Sequence, residues 1–231
     1  MKFKHSLQTA RLVRRYKRFL ADVELPDGDI LTVHCPNSGS MRGCLTPGSP
    51  VQISRSDNVR RKYLYTLEMI EVKGVWVGIN TSLTNRLVQE AIAQEKIKEF
   101  GKVDTIRAEV KVSDKSRLDF LLTRNGKSIY VEVKNCTLAE GGIAMFPDAV
   151  TARGTKHLRE LQVLKEAGHE ACVLFCVQRM DAECFAPARH IDAVYAETLA
   201  AVKEQGVMVL AYQADVSPWQ IEIVGSLPVM L

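Results

Sequence analysis

Two carboxylates and a lysine stand in this sequence at a spacing suited to metal-dependent chemistry on phosphate esters. Asp119 precedes Glu132 by thirteen positions, and Lys134 follows Glu132 with one residue between them. Paired carboxylates supply the hard oxygen ligands that Mg²⁺ or Mn²⁺ takes in proteins, and such an ion lowers the pKa of water and offsets phosphate charge. A neighbouring ammonium group stabilises the charge that develops on the phosphate. We therefore predict that Asp119 and Glu132 are metal ligands and that Lys134 acts beside them.

The surrounding elements predict that these residues meet on one hairpin. The stretch 117–134 has two strand-like halves, and Asn125-Gly126 between them is a strong signal for a two-residue hairpin turn. Side chains alternate along a strand, so Glu132 and Lys134 share a face, and pairing across the turn brings Asp119 level with Glu132. The alternative is an exposed ion pair of little energetic consequence.

Positive charge is concentrated in the first third of the chain. The 231-residue sequence has a net charge of +4, yet residues 1–80 hold 13 Lys and Arg against 7 Asp and Glu, whereas residues 81–231 hold 18 against 20. Such asymmetry predicts a basic front domain that faces a polyanion and a near-neutral second domain. The apolar fraction of 46% and the charged fraction of 25% are those of an ordinary globular protein.

The lack of a targeting signal in the sequence and the spacing of its cysteines predict a reducing compartment. The sequence lacks any run of about 18 apolar residues and does not begin with the apolar segment of a signal peptide. Its six cysteines form neither a Cys-x-x-Cys pair nor a zinc-binding pattern. We expect a cytoplasmic protein that does not engage a membrane.

Residues 1–80 are predicted to form a small OB-like β-barrel, because about five short strands alternate there with turn signals. OB barrels often hold single-stranded nucleic acid on one face. Two basic clusters interleaved with aromatic residues would suit phosphates and bases, and they contain Arg11, Arg14, Arg15, Lys17 and Arg18, then Arg60, Arg61 and Lys62. We predict nucleic-acid binding by these residues; the alternative is a solvated basic face.

Residues 81–231 are predicted to form a second, mixed-sheet α/β domain. Its first helix spans residues 84–100 and carries Glu90 at the edge of its apolar stripe. The predicted strands that follow include 105–112 and the two strands of the hairpin. Glu90 is therefore a further candidate carboxylate for the metal site.

A helix over residues 152–167 follows the hairpin and places His157 on its apolar face, with Arg153 one turn earlier. His157 is either a satisfied core residue or a side chain directed at the carboxylates. A buried strand over residues 172–178 then returns parallel to the previous one by the usual crossover. The order helix, three strands, helix, strand matches the core of the PD-(D/E)xK nuclease superfamily, with the acids on the second and third strands.

Several strings resemble the bacterial sugar fermentation stimulation protein A family nearly from end to end. They are Arg15-Tyr16-Lys17-Arg18-Phe19-Leu20-Ala21-Asp22-Val23, His34-Cys35-Pro36-Asn37-Ser38-Gly39-Ser40-Met41, Phe146-Pro147-Asp148-Ala149-Val150-Thr151, Arg153-Gly154, Lys156-His157-Leu158-Arg159-Glu160-Leu161, Pro187-Ala188-Arg189-His190-Ile191-Asp192 and Leu227-Pro228-Val229. The resemblance implies an OB-like domain, a nuclease-like domain, DNA binding and a regulatory role in sugar, especially maltose, metabolism.

Three hypotheses follow for function. The first is a DNA-binding protein of little sequence specificity with a Mg²⁺- or Mn²⁺-dependent nuclease site, in which Arg153 and His157 contact phosphate. The second is a non-catalytic DNA-binding regulator in which the acids are a remnant of the fold. The third, a carbohydrate-binding protein, is disfavoured because neutral sugars give a basic front domain no counter-charge.

Overall fold

The front part of the chain is a closed β-barrel with one additional strand. The computed structural model describes residues 1–113 and 116–231. The strands of this part are β1 (Gln8–Tyr16), β2 (Leu20–Glu24), β3 (Ile30–His34), β4 (Pro50–Arg55), β5 (Tyr65–Val72) and β6 (Val75–Gly78). They lie in the order β3-β2-β1-β4-β5-β6, and a parallel bridge from His34 to Thr66 joins β3 to β5 and closes five strands into a barrel. This is the OB arrangement, so the predicted fold of the front part is confirmed.

Alternating apolar residues explain why these strands close around one core. Leu12 on β1, Val23 on β2, Val33 on β3 and Ile53 on β4 are fully buried and belong to one cluster. On β1 and β3 the residues on either side of Leu12 and Val33 are exposed or half-buried, as the two-residue period of a strand requires.

The second part of the chain is a six-stranded mixed sheet covered by helices on both faces. Its helices are α1 (Thr84–Ala93), α2 (Ala152–Glu166) and α3 (Ala193–Glu204), and its strands are β7 (Thr105–Ser113), β8 (Ser116–Arg124), β9 (Lys127–Cys136), β10 (Leu138–Glu140), β11 (Ile143–Phe146), β12 (Glu170–Val177), β13 (Cys184–Pro187), β14 (Met208–Val216) and β15 (Ile221–Leu227). The main sheet has the order β15-β14-β12-β9-β8-β7, and β12 runs parallel to both β9 and β14. The predicted mixed-sheet fold is confirmed.

Strand β12 is buried on both faces and divides the core into two layers. Cys172 and Leu174 pack with α1, whereas Val173 and Phe175 pack with α2 and α3. An uninterrupted apolar run is the pattern expected of a central parallel strand.

One prediction about secondary structure was wrong, and one small sheet was missed. The first helix ends at Ala93 instead of continuing to residue 100, because Glu95 adopts a left-handed φ of +57°. Ile97 and Phe100 are nevertheless buried, so this segment fills the core as turns. The small sheet of order β10-β11-β13 was not predicted.

The two parts of the chain are joined by polar contacts. Gly78 at the end of the barrel donates its backbone N–H to the carbonyl of Gln178 at 3.0 Å. Asp148 accepts the backbone N–H of Met41 at 2.7 Å, and the Ser40 hydroxyl donates to the carbonyl of Asp148 at 2.7 Å. The N-terminal Met1 packs in the core beneath α1 and not in the barrel. Among the residues that the structure describes, no helix is both long and apolar enough to cross a membrane.

Candidate active site

The β8–β9 hairpin positions the two acids as the sequence predicts. Asn125 and Gly126 form its turn with φ angles of +50° and +75°, which suit the two-residue turns that match strand twist. Pairing runs from Arg124 with Lys127 to Phe120 with Val131.

Asp119 lies where the two strands separate. Beyond Phe120 the ladder stops, and the Oδ2 atom of Asp119 accepts the backbone N–H of Val133 at 2.7 Å. Leu118 packs in the core beneath α2, whereas Phe120 packs in the core beneath α1, so β8 turns over at this residue. The carboxylate of Asp119 therefore replaces a backbone acceptor and is held in the gap between the strands.

The second oxygen of Asp119 contacts α1. Its Oδ1 atom accepts a hydrogen bond from the side-chain amide of Asn85 at 2.8 Å. Burial raises the pKa of Asp119 to about 6, and the nearby charge of Glu132 adds to the shift, against the hydrogen bonds from Val133 and Asn85. Two negative groups this close favour a cation between them.

Glu132 is 3% exposed and receives two donors on one oxygen. Its Oε1 atom accepts the ammonium group of Lys134 at 2.6 Å and the Nδ1–H of His157 from α2. Burial opposes ionisation of Glu132, but the hydrogen bond from His157 and the charge of Lys134 outweigh it and hold the pKa of Glu132 below its ordinary value. The site thus keeps a buried carboxylate charged.

The other oxygen of Glu132 marks the place where a cation fits. Within residues 1–113 and 116–231, the buried Oε2 atom of Glu132 has no hydrogen-bond partner. Those same residues contain no cluster of three or more His, Cys, Asp or Glu side chains arranged to hold a metal ion. A cation bound here would therefore have Asp119 and Glu132 as protein carboxylates and take its remaining ligands from water and phosphate, as Mg²⁺ commonly does.

The acids open into a cleft lined by positive side chains. Asp119, Glu132 and His157 border a cleft of about 730 Å³. Its walls also carry cationic side chains from three elements, which are Lys111, Arg117, Arg153 and Lys156, together with the acidic Glu109. Arg153, predicted to contact phosphate, lies in this wall. A cleft of this charge suits a phosphodiester backbone.

Glu90 is not brought into the site. Its Oε1 atom lies 2.9 Å from the amino group of Met1. Glu90 lies five positions after Asn85, which places the two side chains about 140° apart around a helix. The residue of α1 that reaches the acids is therefore Asn85, and the sequence pattern offered no signal for it because an amide beside a helix start also suits a cap.

Several predicted nucleic-acid contacts are exposed on loops at one end of the barrel. Lys17 and Arg18 form the turn between β1 and β2, and Arg60 and Lys62 lie in the loop between β4 and β5. Arg11 is exposed on β1 and donates to the carbonyl of Gly48 at 3.0 Å. Arg14 is exposed too and pairs with Asp22 at 2.8 Å.

Arg15 and Arg61, also predicted to bind nucleic acid, are instead engaged within the barrel. The guanidinium of Arg15 donates to the carbonyls of Arg18, Asn37 and Gly39 at 2.7, 2.8 and 2.9 Å, and to that of Ser40 at 3.3 Å. Arg61 contacts Thr66 and His34 at 3.2 and 3.3 Å. Charge runs do not reveal which cations are used internally, because a loop carbonyl is as good an acceptor as a phosphate.

The fold and the site together define a class of protein. An OB barrel is followed by a mixed-sheet domain of nuclease-like fold, in which Asp119, Glu132 and Lys134 lie together on the β8–β9 hairpin.

Comparison with known proteins gives the family. Residues 13–79 match the model described as the SfsA N-terminal OB domain, and residues 82–220 match that of the sugar fermentation stimulation protein RE domain. The chain belongs to the sugar fermentation stimulation protein family.

Individual relatives match over nearly their whole length. A sugar fermentation stimulation protein homolog from Desulfotalea psychrophila is 53% identical over 231 residues, covering 100% of this chain and 95% of the relative. One from Geotalea uraniireducens is 53% identical over 222 residues, covering 96% of each. Among solved structures, Pyrococcus furiosus SfsA in complex with Ca²⁺ superposes with a TM-score of 0.91 at 28% identity, covering 100% of this chain and 98% of the other.

Proposed function

We propose that this protein binds DNA through its barrel and hydrolyses phosphodiester bonds at Asp119, Glu132 and Lys134 with a divalent cation. One observation carries the proposal: Glu132 is buried, yet His157 and Lys134 keep it ionised. Its Oε2 atom has no hydrogen-bond partner among the residues that the structure describes. Glu132 also lies beside Asp119, a second carboxylate, in a cleft lined by cationic side chains. Burying an ionised carboxylate has a cost in stability, and charged groups perturbed in this way inside a cleft are characteristic of functional sites.

The reaction would be hydrolysis of a phosphodiester to a phosphomonoester and an alcohol. A new bond forms between the oxygen of water and phosphorus, the bond to the leaving oxygen breaks, and one proton from water ends on the leaving alcohol. A divalent cation held by Asp119 and Glu132 supplies positive charge and lowers the pKa of water there. Lys134 stabilises charge on the non-bridging phosphate oxygens, and Arg153 orients the backbone in the cleft.

The identity of the cation follows from the ligand chemistry. Two carboxylates without sulfur or a cluster of imidazoles favour Mg²⁺ or Mn²⁺, and Ca²⁺ takes the same oxygen ligands. The structure of the Pyrococcus furiosus relative is described as a complex with Ca²⁺, which supports a site for hard cations in this family. We propose Mg²⁺ or Mn²⁺ as the active cation and Ca²⁺ as a non-productive substitute.

We propose that two basic loops of the barrel bind DNA. The β1–β2 and β4–β5 loops of an OB fold are those that commonly bind oligonucleotides. Here they carry Lys17, Arg18, Arg60 and Lys62, and the side chain of Phe19, next to Arg18 in the β1–β2 loop, is 45% exposed. Phosphate contacts of this type give affinity with little sequence specificity. An effect on sugar fermentation, which the relatives' name carries, would then follow from action on DNA.

The test is incubation of the purified full chain with end-labelled single- and double-stranded DNA in Mg²⁺, Mn²⁺ or EDTA. We expect metal-dependent cleavage by the parent and by the control Glu166→Ala, and its loss in Glu132→Ala with DNA affinity in Ca²⁺ retained. Intact but retarded DNA under every condition would favour a binding-only regulator. Equal cleavage by Glu132→Ala would remove this site from the reaction.

A further inference from the structure

A second cavity adjoins the acid pair where the two parts of the chain meet. It has a volume of about 340 Å³ and lies between the barrel loop, residues 36–41, and the segment 145–151. Lys134 lines this cavity, whereas Glu132 lines the cationic cleft, and their side chains meet at 2.6 Å. The two cavities therefore lie on either side of the contact between Lys134 and Glu132.

The chemical character of the second cavity differs from that of the cleft. Of the described residues that line it, only Lys134 and Asp148 are charged, and Asp148 is bound to the barrel loop. The remaining walls combine amide and hydroxyl groups, as at Asn135 and Ser38, with apolar side chains such as Val150. Small-molecule sites typically have this mixture and volumes of about 300–1,000 Å³. The cavity therefore suits a sugar and a base better than a second phosphate.

The barrel loop that forms one wall of the cavity is held in place by hydrogen bonds before any ligand binds. Arg15 holds the carbonyls of Asn37 and Gly39, and Asp148 holds the N–H of Met41. A Cβ atom at Gly39 would lie 2.8 Å from Oδ2 of Asp148, so the loop approaches the second domain as closely as its backbone permits. A loop fixed from both sides provides a preorganised surface for a ligand.

We propose that this cavity binds the nucleoside next to the scissile phosphate, with its base removed from the stack of its neighbours. The inference rests on the proposed function and specifies its substrate. A base must leave a duplex to enter such a pocket, at a cost that is smallest for single strands. The protein therefore prefers single-stranded DNA or a frayed end, and residues of the barrel loop contribute to that selection.

Binding of a nucleotide tests the pocket without relying on cleavage. Val150, 76% exposed, and Ser38 lie in opposite walls and tolerate larger side chains without disturbing the core. Val163, 61% exposed on α2, lines neither cavity and provides a matched control. We expect thymidine 5′-monophosphate in Ca²⁺ to bind the parent and Val163→Trp equally in calorimetry, and Val150→Trp or Ser38→Trp to bind about tenfold or more weakly. Absence of binding to the parent, or equal binding by both pocket variants, would overturn the proposal.

Cleavage assays separate failure of the pocket from failure of the proposed function. We expect Val150→Trp to cut single-stranded DNA about tenfold or more slowly than Val163→Trp, at unchanged Mn²⁺ affinity. If nucleotide binding depends on the pocket but no DNA is cut, the proposed function fails and the pocket stands. If cutting requires Glu132 but Val150→Trp cuts like the parent, and duplex is cut as fast as single strands, the pocket fails and the function stands.

Discussion

His157 on α2 donates its Nδ1–H to the Oε1 atom of Glu132 on β9, so a helix on one face of the sheet fixes a carboxylate of that sheet. Because Lys134 occupies the same oxygen, Oε2 of Glu132 remains for another ligand. His157 is both a core residue and one that faces the acids, because it is 4% exposed and contacts Glu132. Under the proposed function, this contact makes His157 a positioning residue for Glu132.

Replacing His157 should weaken the metal site. Removal of a hydrogen bond to a metal-ligating carboxylate typically lowers affinity or activity by about 10–100-fold, so we expect this loss of Mn²⁺ affinity for His157→Ala. His157→Asn can present an amide N–H near the position of Nδ1 and should recover part of the affinity. Equal affinity in the parent and in His157→Ala, measured by calorimetry, would show that the contact does not orient Glu132.

Two residues of α1 should respond differently to substitution. Asn85→Ala removes the donor to Asp119 and should lower Mn²⁺ affinity by about tenfold. Glu90→Gln should leave affinity and cleavage within about twofold, because Glu90 pairs with the N-terminus outside the site. A larger effect of Glu90→Gln than of Asn85→Ala would reverse the assignment of the helix face.

Metal affinity should depend on pH through Asp119. Because its pKa is about 6, Asp119 in the metal-free protein carries a proton below about pH 6, and this proton must be released before a cation binds. Ca²⁺ affinity should fall by about tenfold per unit below about pH 6 and level off above it. Calorimetry in two buffers of different ionisation enthalpy should detect about one proton released at low pH and almost none near pH 8. If Ca²⁺ affinity is constant and no proton is released between low pH and pH 8, the raised pKa of Asp119 is contradicted.

Arg15 should contribute to the stability of the fold. Its guanidinium satisfies four loop carbonyls, so Arg15→Met should lower the free energy of unfolding by about 2–4 kcal/mol. The control Arg11→Met, which loses one exposed contact, should cost less than about 1 kcal/mol. Urea denaturation measures the free energy of unfolding of both variants, and an unchanged m-value shows that the two can be compared. Equal midpoints for the two variants would show that the loop does not depend on Arg15.

The exposed basic loops should determine the salt dependence of DNA binding. Each phosphate contact to a single strand contributes about 0.7 to the slope of log affinity against log salt, so replacing Arg18 and Arg60 by Ala should reduce that slope by about 1.4. The control Lys127→Ala/Lys203→Ala removes equal charge from exposed positions of the second domain. Fluorescence anisotropy at several salt concentrations compares the two, and an equal change in slope would mean that the barrel loops have no special role.

Local patterns predicted the parts of the site that local chemistry determines. The two-residue turn at Asn125-Gly126 and the alternation in β9 sufficed to bring Asp119 near Glu132, because hairpin register follows from turn type. The helix carrying His157 was predicted from its apolar spacing, and Gly168, just beyond its end, adopts the left-handed φ of +89° that is typical of a residue after a helix.

Features that depend on distant contacts were not predictable in the same way. Strand β11 pairs in parallel with β13 across about forty residues of chain, and such short strands carry little periodic signal. The role of Arg15 depends on carbonyls more than twenty residues away, and the choice of Asn85 over Glu90 depends on how α1 crosses the sheet. These are tertiary relationships that sequence spacing does not encode.

The most direct test of the central claim is titration of the metal-free full chain with Mn²⁺, because it needs no knowledge of the preferred DNA. Calorimetry should show binding by the parent and by the control Glu90→Gln, and a loss of affinity of about tenfold or more in both Asp119→Asn and Glu132→Gln. Unchanged Mn²⁺ affinity in those two variants would contradict a metal site at Asp119 and Glu132, and with it the proposed chemistry.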